Sequence, residues 1–362
     1  MNNFRFLTSG ESHGMCLNAI IDGMPANINI NKEFIDNELA KRQGGYGRGG
    51  RMKIETDKVS IKSGVRFGKT TGAPICLEIE NKDWKNWTVP MSVEPVDISD
   101  SEISDAVEAK KITRVRPGHA DLSGAIKYNQ EDVRNILERS SARETAARVA
   151  VGGVAKCLLK EFGIEASSKI LSVCDAKTED DIRAEIDKAK TEGDTLGGSF
   201  EIRFTNLPVG LGSFVQWDRR LDGRLAQALM SIQAVKAVEV GAGVNVARLK
   251  GSETHDEIYY ENGQYFRKTN NAGGIEGGMS NGEDIVLRVS MKAIPTMRKP
   301  LLSVDIKTKE PYTAHFERSD TCAVEACAVV GEAMAAIVIA DAFLEKFGGD
   351  SLEEIKKNYE NG

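Results

Sequence analysis

The sequence has no pair of cysteines spaced for zinc binding or for a redox dithiol. Its six cysteines are scattered over 362 residues, and no Cys-x-x-Cys motif occurs among them. Dispersed thiols in a chain of this length are typical of a reducing compartment. We therefore expect no metal site, and we expect the protein to be cytoplasmic.

The sequence also lacks targeting and membrane signals. No apolar segment follows a basic start at the N-terminus, so a secretory signal is not indicated. Residues 322–344 are apolar enough to suggest a membrane span, but Glu325, Glu332 and Asp341 interrupt them. Acidic residues at these positions favour a buried core helix, and we expect no membrane association.

An excess of positive charge is absent as well. The net charge is −6, which argues against a general nucleic-acid binder. Within this acidic chain, residues 41–53 contain five cations, five glycines and no acid. Arginine suits paired hydrogen bonds to phosphate or carboxylate, so the segment indicates an anion site. A Gly-Arg patch that binds RNA is the rival interpretation, but Tyr46 is the only aromatic residue there for base stacking.

Two further segments are basic. Residues 110–119 contain two lysines, two arginines and a histidine without an acid. Arg139 and Arg143 share a helix face, where a solvated surface with Glu138 and Glu144 as partners is the simplest interpretation. Several basic segments in an acidic protein predict one concentrated site for a small, multiply charged anion.

Histidine is scarce, with four in the chain. His13 in GESHG and His119 in RPGHAD both lie in glycine-containing turns, where catalytic groups concentrate. Two such histidines close to arginines favour acid–base or anion-binding roles. Asp320 precedes the last apolar helix, and capping that helix is its simplest role.

Familiar catalytic signatures are missing. The sequence contains no Walker motif, Rossmann fingerprint, nucleophile elbow or kinase signature. The glycine- and asparagine-rich segment 270–282 is interpreted as a long turn between strands, with an anion- or ring-binding loop as the alternative. The residues alone therefore predict an anion-binding enzyme with histidine and aspartate available for proton transfer.

Hydrophobic periodicity predicts an α+β fold in which sheets pack on a helical layer. No linker divides the chain, although its length alone suggests two domains. The last residues, 353–362, are expected to form a flexible tail. The predicted strands cover 4–7, 17–22, 54–62, 73–80, 168–174, 199–205, 238–242, 285–292 and 302–306. The predicted helices cover 32–42, with Asn31 as N-cap, and 131–161, 179–192, 218–234 and 321–347.

An ordered set of motifs resembles the chorismate synthase family over nearly the whole chain. The motifs are GESHG at 10–14, GYGRGGRMKIE at 45–55, SGVRFGKTTGAPI at 63–75, RPGHADL at 116–122, RSSARETAARVAVG at 139–152, NNAGGIEGGMSNG at 270–282 and RSD at 318–320. The resemblance implies a β-α-β sandwich with antiparallel sheets on a central helical layer. It also implies one domain spanning 1–362 and a homotetramer.

The resemblance further implies a lyase of the shikimate pathway to aromatic amino acids. The family converts 5-enolpyruvylshikimate 3-phosphate to chorismate by an anti 1,4-elimination of phosphate. The reaction requires reduced FMN but has no net redox change. Some relatives reduce their own flavin with NADPH, whereas here we expect the monofunctional type, supplied by an external flavin reductase. A flavin- or phosphate-binding protein without catalysis is the alternative, and the presence of His13, His119 and Asp320 disfavours it.

The resemblance also implies the site residues. Substrate would contact Arg42, Arg48, Arg51, Arg116, Arg143 and Arg318. FMN would contact Arg42, Arg48, Ser141, Ala142, Arg143, Gln233, Ala234, Gly277, Lys292, Ala293, Ile294, Pro295, Thr296 and Arg318. In catalysis His13 would act on the leaving phosphate, His119 would tune the flavin pyrimidine edge, Asp320 would help deprotonate flavin N5, and Ser12 and Ser141 would link these groups. The sequence leaves open the opposite assignment, in which His119 faces the phosphate and His13 faces the flavin. The sequence departs from the family at Gln233, where Asn is frequent, and at Thr321, where Pro is common.

Overall fold

The structure, a computed structural model, describes residues 3–49, 56–299, 301–316 and 320–362. Its strands are β1 Arg5–Ser9, β2 Cys16–Asp22, β3 Ser60–Ile61, β4 Val65–Arg66, β5 Lys69–Thr70, β6 Ile75–Glu80, β7 Glu165–Val173, β8 Gly198–Thr205, β9 Val235–Val240, β10 Ile258–Glu261, β11 Gln264–Arg267, β12 Ile275–Glu276, β13 Met279–Ser280, β14 Ile285–Met291, β15 Leu302–Val304 and β16 Pro311–Thr313. Its helices are α1 Lys32–Gln43, α2 Ser101–Glu108, α3 Asp121–Tyr128, α4 Arg134–Ser140, α5 Thr145–Lys160, α6 Glu179–Glu192, α7 Leu221–Met230, α8 Gly251–Thr254, α9 Val324–Phe347 and α10 Leu352–Glu360.

Two antiparallel four-stranded sheets form the outer layers. The first has the strand order β1-β2-β6-β3, and the second has the order β7-β8-β14-β9. In β6 the alternate residues Ile75, Leu77 and Ile79 are buried, so the first sheet presents one face to the interior. The α+β class with antiparallel sheets is therefore confirmed.

Helices α5 and α9 lie between the sheets. Helix α5 packs on β2 and β6 of the first sheet, and α9 packs on β7 and β8 of the second. The two helices approach so closely that a Cβ on Gly152 would lie 2.3 Å from the Cβ of Ala333. On its other side, a Cβ on Gly331 of α9 would lie 2.7 Å from Cδ1 of Ile202. Because residues 152 and 331 are glycines, α9 can pack close to α5 on one side and to the second sheet on the other.

The apolar helix expected near the C-terminus is buried in the fold. Among the described residues, α9 is the one helix long and apolar enough to cross a membrane, and 83% of its most apolar window is buried. It contacts sheet, helix and the C-terminal α10. The prediction of a core helix is confirmed.

Most predicted elements are present, but several differ from expectation. The single helix predicted over 131–161 is interrupted: α4 ends at Ser140, a 3₁₀ turn covers Ala142–Glu144, and α5 follows. The predicted strand 54–62 is reduced to Ser60–Ile61, and its first two residues lie outside the described part. The segment expected to be a flexible tail instead forms α10, which buries Leu352 and Ile355.

Candidate active site

A cavity of about 560 Å³ opens where α5 and α9 begin. Its wall includes Ser141, Ala142 and Thr145 at the start of α5, and Ala323, Ala326 and Cys327 at the start of α9. The amino-terminal ends of helices carry partial positive charge, so two such ends favour an anionic ligand.

Most residues that sequence reasoning assigned to the site line this one cavity. They are Ser12, His13, Arg42, Arg48, Arg116, His119, Ser141, Ala142, Arg143, Gln233, Ala234, Lys292, Ile294, Pro295, Thr296 and Asp320. Arg51 and Arg318 lie outside the described residues. Ala293 and Gly277 are not part of the wall, and Gly277 lies in the turn of the β12–β13 hairpin. Segment 270–282 thus contains a short hairpin, and the flavin contacts assigned to Gly277 and Ala293 stay predictions.

Arg42 and Arg143 meet a common carboxylate, Asp57, which sequence reasoning missed. Nη1 of Arg143 lies 2.7 Å from both oxygens of Asp57, and Nη1 of Arg42 lies 3.5 Å from Oδ2. All three side chains are buried. Arg143 also donates from Nε to Asn81, at 2.9 Å. Arg143 is therefore not on a solvated helix face, and the surface interpretation was wrong for this residue. Arg139 is exposed and lies 3.9 Å from Glu144, as that interpretation expected.

Burial changes the protonation equilibrium of Arg42. Removal from water, together with the nearby positive charges of Arg143 and Arg48, lowers the pKa of Arg42 to about 10, against the opposing effect of Asp57. Arg42 is still charged at neutral pH. Its Nη1 is buried and makes no hydrogen bond within the described part of the chain, although Asp57 lies 3.5 Å from it.

A second buried carboxylate, Asp121, holds Arg116 and His119. Asp121 accepts hydrogen bonds from Nε of Arg116 at 2.8 Å and from Nη2 at 3.0 Å. Nδ1 of His119 lies 2.5 Å from Oδ1 of Asp121, so it is Nδ1 that carries the proton in this contact. Arg116 also donates from Nη1 to Thr296, at 2.9 Å. Burial opposes ionisation of Asp121, but the contacts with His119 and Arg116 outweigh it and hold its pKa well below the usual range.

His13 has a similar carboxylate partner, Glu138 of α4. Nδ1 of His13 lies 2.8 Å from Oε1 of Glu138, and the backbone N–H of His13 donates to Oε2 at 2.7 Å. The imidazole also stacks on Trp87, with ring centroids 4.0 Å apart. Glu138 therefore faces inward rather than serving as a solvated partner of Arg139.

Asp320 does not cap the last helix. Helix α9 begins at Val324, and its N-cap residue Ala323 makes no side-chain capping bond. The carboxylate of Asp320 instead accepts from the backbone N–H of Gly49 at 2.6 Å and lies 2.8 Å from Nη1 of Arg48. The capping prediction was wrong, and Asp320 joins the basic segment to the cavity.

The break between α4 and α5 brings Ser141 to the wall. Ser141 has extended backbone angles, φ −60° and ψ 141°, and its hydroxyl accepts from the N–H of Arg143. The same hydroxyl donates to Oγ of Ser12 at 3.3 Å. The two serines are therefore in contact at the wall, and their role in linking the catalytic groups stays a prediction.

Gln233 has a defined amide orientation. Its Nε2 donates to Oε2 of Glu144 at 3.3 Å, and because a carboxylate only accepts, the amide oxygen must point the other way. That oxygen is buried and without a hydrogen-bond partner among the described residues. Glu144 in turn is paired with Arg148, so it too is not a solvated surface residue.

Lysines supply further positive charge at the rim. Nζ of Lys292 donates to the carbonyl of Gly118 at 2.5 Å. Burial, and then repulsion from Lys236, lowers the pKa of Lys292. Lys236 also lines the cavity, although sequence reasoning did not single it out.

Only one of the missed partners had a signal in the sequence. Asp121 follows His119 by two residues in RPGHAD, so its contact with that histidine was predictable. Asp57 lies 86 residues before Arg143, and Glu138 lies 125 residues after His13, and no spacing rule connects these two pairs. Among the described residues, no group of three or more His, Cys, Asp or Glu side chains is arranged to hold a metal ion.

An α+β fold whose central helices point their amino ends at a cation-lined cavity, with two histidine–carboxylate pairs in the wall, defines an enzyme that acts on a small anion. Comparison with known proteins makes this specific. A sequence profile of the chorismate synthase family matches residues 4–344. The chain therefore belongs to the chorismate synthase family and is a lyase.

Individual relatives agree over almost their whole lengths. Chorismate synthase of Thermoanaerobacter pseudethanolicus is 59% identical over 357 residues, covering 98% of this chain and 97% of the relative. The enzyme of Caldanaerobacter subterraneus subsp. tengcongensis is 60% identical with the same coverage. A crystal structure of a chorismate synthase superposes with a TM-score of 0.77 at 44% identity, covering 99% of this chain and 96% of the other.

Proposed function

We propose that the protein converts 5-enolpyruvylshikimate 3-phosphate to chorismate by anti 1,4-elimination of phosphate, with reduced FMN as cofactor, in the shikimate pathway to aromatic amino acids. The observation that carries the proposal is the convergence of His13, His119 and Asp320 on one cation-lined cavity, in a chain of this family. The substrate carries one phosphate and two carboxylates, which matches the positive charge of the wall.

The residues present fit a flavin mononucleotide. The wall offers a buried donor, Nη1 of Arg42, and a buried acceptor, Oε1 of Gln233, each without a hydrogen-bond partner in the described part. A flavin has oxygen acceptors and a ring N–H donor, so it can satisfy both atoms. The cavity of about 560 Å³ is within the usual size of small-molecule sites, roughly 300–1,000 Å³.

The residues assigned to the cofactor surround this space. We propose that it is held by the set named from the resemblance: Arg42, Arg48, Ser141, Ala142, Arg143, Gln233, Ala234, Gly277, Lys292, Ala293, Ile294, Pro295, Thr296 and Arg318. When bound, reduced flavin supplies electron density that assists departure of the phosphate and is recovered at the end of the reaction.

The substrate anions are proposed to bind Arg42, Arg48, Arg51, Arg116, Arg143 and Arg318. Arg116 and Arg143 are already bonded to Asp121 and Asp57. Their positive charges are therefore held in fixed positions before the substrate binds. Arg48 is bonded to Asp320, which fixes the basic segment at the cavity. Preorganised charge of this kind needs little rearrangement when the phosphate leaves.

Proton transfer is proposed for the two histidines and the aspartate. His13 gives a proton to the departing phosphate oxygen as the C–O bond breaks. Asp320 accepts the proton that is released from the substrate ring as the C–H bond breaks. His119, held by Asp121, adjusts the charge at the cofactor side of the cavity. Ser12 and Ser141 connect these groups through their 3.3 Å hydroxyl contact.

The remaining proposals concern localisation, assembly and the supply of reduced flavin. We propose a cytoplasmic, monofunctional enzyme of one domain that assembles as a homotetramer, and that receives reduced flavin from a separate reductase rather than from its own NADPH-dependent activity. Size-exclusion chromatography with light scattering tests the assembly, and NADPH added with oxidised FMN tests the reductase assignment.

The decisive experiment is chorismate formation from the phosphorylated substrate with dithionite-reduced FMN, with oxidised FMN as control. Substrate and product have the same oxidation state, so reduced flavin should act catalytically. Many product molecules should form for each flavin, and oxidised flavin should support none. Consumption of one equivalent of reduced flavin for each chorismate would contradict the proposal.

A further inference from the structure

Glu138 reaches the catalytic loop from a distant part of the chain. It lies on α4, whereas His13 lies in the turn between β1 and β2, 125 residues earlier. Both of its carboxylate oxygens contact His13, one at the ring Nδ1 and the other at the backbone N–H. The backbone carbonyl of Glu138 also accepts from the N–H of Ser12, at 3.1 Å. One residue therefore contacts both the loop and the ring.

The carboxylate is itself immobilised. Nη1 of Arg134, one helical turn earlier on α4, donates to Oε1 of Glu138 at 2.9 Å. The guanidinium of Arg134 lies 4.9 Å from the ring centre of Trp87, the ring on which His13 stacks. Trp87 is anchored by a 3.0 Å hydrogen bond from Nε1 to Asp83. The imidazole is thus restricted by a hydrogen bond along its edge and by an aromatic ring on its face.

Glu138 remains ionised in this setting. Burial alone would raise its pKa, but the hydrogen bonds and charge of His13, together with Arg134, hold the pKa of Glu138 below its usual range. An ionised carboxylate can only accept hydrogen bonds, so the proton of a neutral His13 ring must be on Nδ1. A ligand that exchanges a proton with His13 must then do so at Nε2.

We infer that Glu138 is a positioning residue for the reaction: it fixes the tautomer and the orientation of His13 so that Nε2 serves the leaving phosphate. The inference rests on the function proposed above. Glu138 does not touch the substrate in this role. It acts through the imidazole, as a buried carboxylate does when it holds the tautomer of a catalytic histidine.

The substitution Glu138→Gln separates positioning from packing. Glutamine has the same shape but only one oxygen, whereas three donors meet the carboxylate of Glu138: the backbone N–H and Nδ1 of His13, and Nη1 of Arg134. In the variant, Nδ1 of His13 no longer faces a carboxylate that can only accept hydrogen bonds. We expect the variant to populate the Nε2–H form of His13, which the parent lacks.

The tautomer can be read directly by ¹⁵N NMR of histidine-labelled protein, without cofactor or substrate. The chain has four histidines, and His13→Gln assigns the relevant signal. Spectra over about pH 6–9 take an ordinary histidine from charged to neutral. The parent should show the Nδ1–H form at high pH. An Nε2–H form in the parent overturns the inference, and this result needs no variant to fold.

The turnover rate provides a second test of the inference. Glu138→Gln should lower kcat on the order of 10²-fold while the affinity for FMN changes less than a few-fold, because the ring and not the cavity charge is altered. Glu201→Gln is the matched control: Glu201 is also a buried, ion-paired glutamate, but it lies on β8 away from the cavity. It should retain normal turnover and the parental His13 tautomer.

The outcomes separate the two proposals. Normal turnover in a folded Glu138→Gln variant, or the same tautomer in parent and variant, would overturn the positioning role. A parent enzyme that shows the Nδ1–H form but makes no chorismate would instead refute the proposed function and leave the carboxylate–histidine geometry intact.

Discussion

Loss of the Asp57 carboxylate should destabilise the protein strongly, because two buried arginines of the cavity wall pair with it. Its side chain is fully buried, with Arg143 at 2.7 Å and Arg42 at 3.5 Å. At 3.5 Å and an effective dielectric constant of about 20, one such attraction is worth about 5 kcal/mol before desolvation. Removing one partner of a buried pair typically costs about 3–5 kcal/mol, since the other charge is left uncompensated.

The substitution Asp57→Asn keeps the shape and removes the charge. With an unfolding entropy of about 2.1 cal/mol/K per residue, a loss of 3–5 kcal/mol in a chain of this length lowers Tm by about 4–7 °C. Asp22→Asn is the control. Asp22 pairs with Arg5 on the surface, where such pairs contribute about 0–1 kcal/mol, so Tm should change by about 1 °C or less. Differential scanning calorimetry on both variants gives the comparison.

The Tm of Asp57→Asn should also depend more strongly on added anions than the Tm of the parent does. Without Asp57, Arg42 and Arg143 carry two adjacent positive charges and lack a counter-ion. Inorganic phosphate should therefore raise the Tm of Asp57→Asn more than that of the parent, at ionic strength held constant with chloride. Equal Tm losses in the Asp57 and Asp22 variants, or equal phosphate effects in variant and parent, would refute the account of the paired arginines.

Three further expectations concern the cavity wall. Asp320→Asn should lower Tm less than Asp57→Asn does, since Asp320 is 20% exposed and pairs with one arginine rather than two, but it should reduce single-turnover rates steeply; retained turnover removes Asp320 from the catalytic set. His13→Ala and His119→Ala should each stay folded by circular dichroism and reduce turnover on the order of 10²- to 10⁴-fold, and near-normal turnover would return that histidine to a structural role. Asp121→Asn should have a lower free energy of unfolding than the parent at pH 7, and the difference should shrink below about pH 4. The lowered native-state pKa of Asp121 stabilises the parent above the ordinary Asp pKa, and this stabilisation is lost as pH falls. Urea unfolding at pH 7 and pH 3 measures the difference, and a difference that does not change with pH would contradict the expectation.

Elements with local start and stop signals could be predicted from the sequence. Helix α6 matches the predicted 179–192, because Thr178 accepts from the N–H of Asp181 at its beginning and Gly193 ends it with φ 74°. Helix α1 likewise begins after its predicted cap, Asn31, although it ends one residue later than predicted. These signals act within a few residues, so the sequence contains all the information that they need.

The break at Ser141 could not be predicted in this way. Apolar periodicity continues across 131–161, and nothing local forces Ser141 into an extended conformation. Contacts from other parts of the chain accompany the break: Arg143 is bonded to Asn81 and Asp57, and Arg42 donates to the carbonyl of Ala142. Long-range bonds of this kind override helical periodicity, and they occur at the wall of the cavity.

For the site, sequence reasoning located the groups but not their partners. It assigned His13, His119 and Asp320 to one site, and the structure brings all three to the same cavity. It did not connect the carboxylate of Glu138 with His13, and it interpreted Asp320 as a helix cap, whereas Asp320 binds Arg48 and Gly49. Ion pairs over long separations carry no periodic signal, so their geometry becomes visible only when the chain is folded.

The close approach of α5 and α9 restricts how the cavity can change shape. The Cβ that Gly152 lacks would clash with Ala333, so the two helices are packed with no room to slide or rotate against each other. Since each helix contributes its first turns to the wall, we expect that part of the wall to behave as one rigid body. Adjustment to a ligand is then expected from the other segments of the wall. A side chain at position 152, which does not line the cavity, should push α5 and α9 apart, and we expect it to weaken binding although no residue of the wall is replaced.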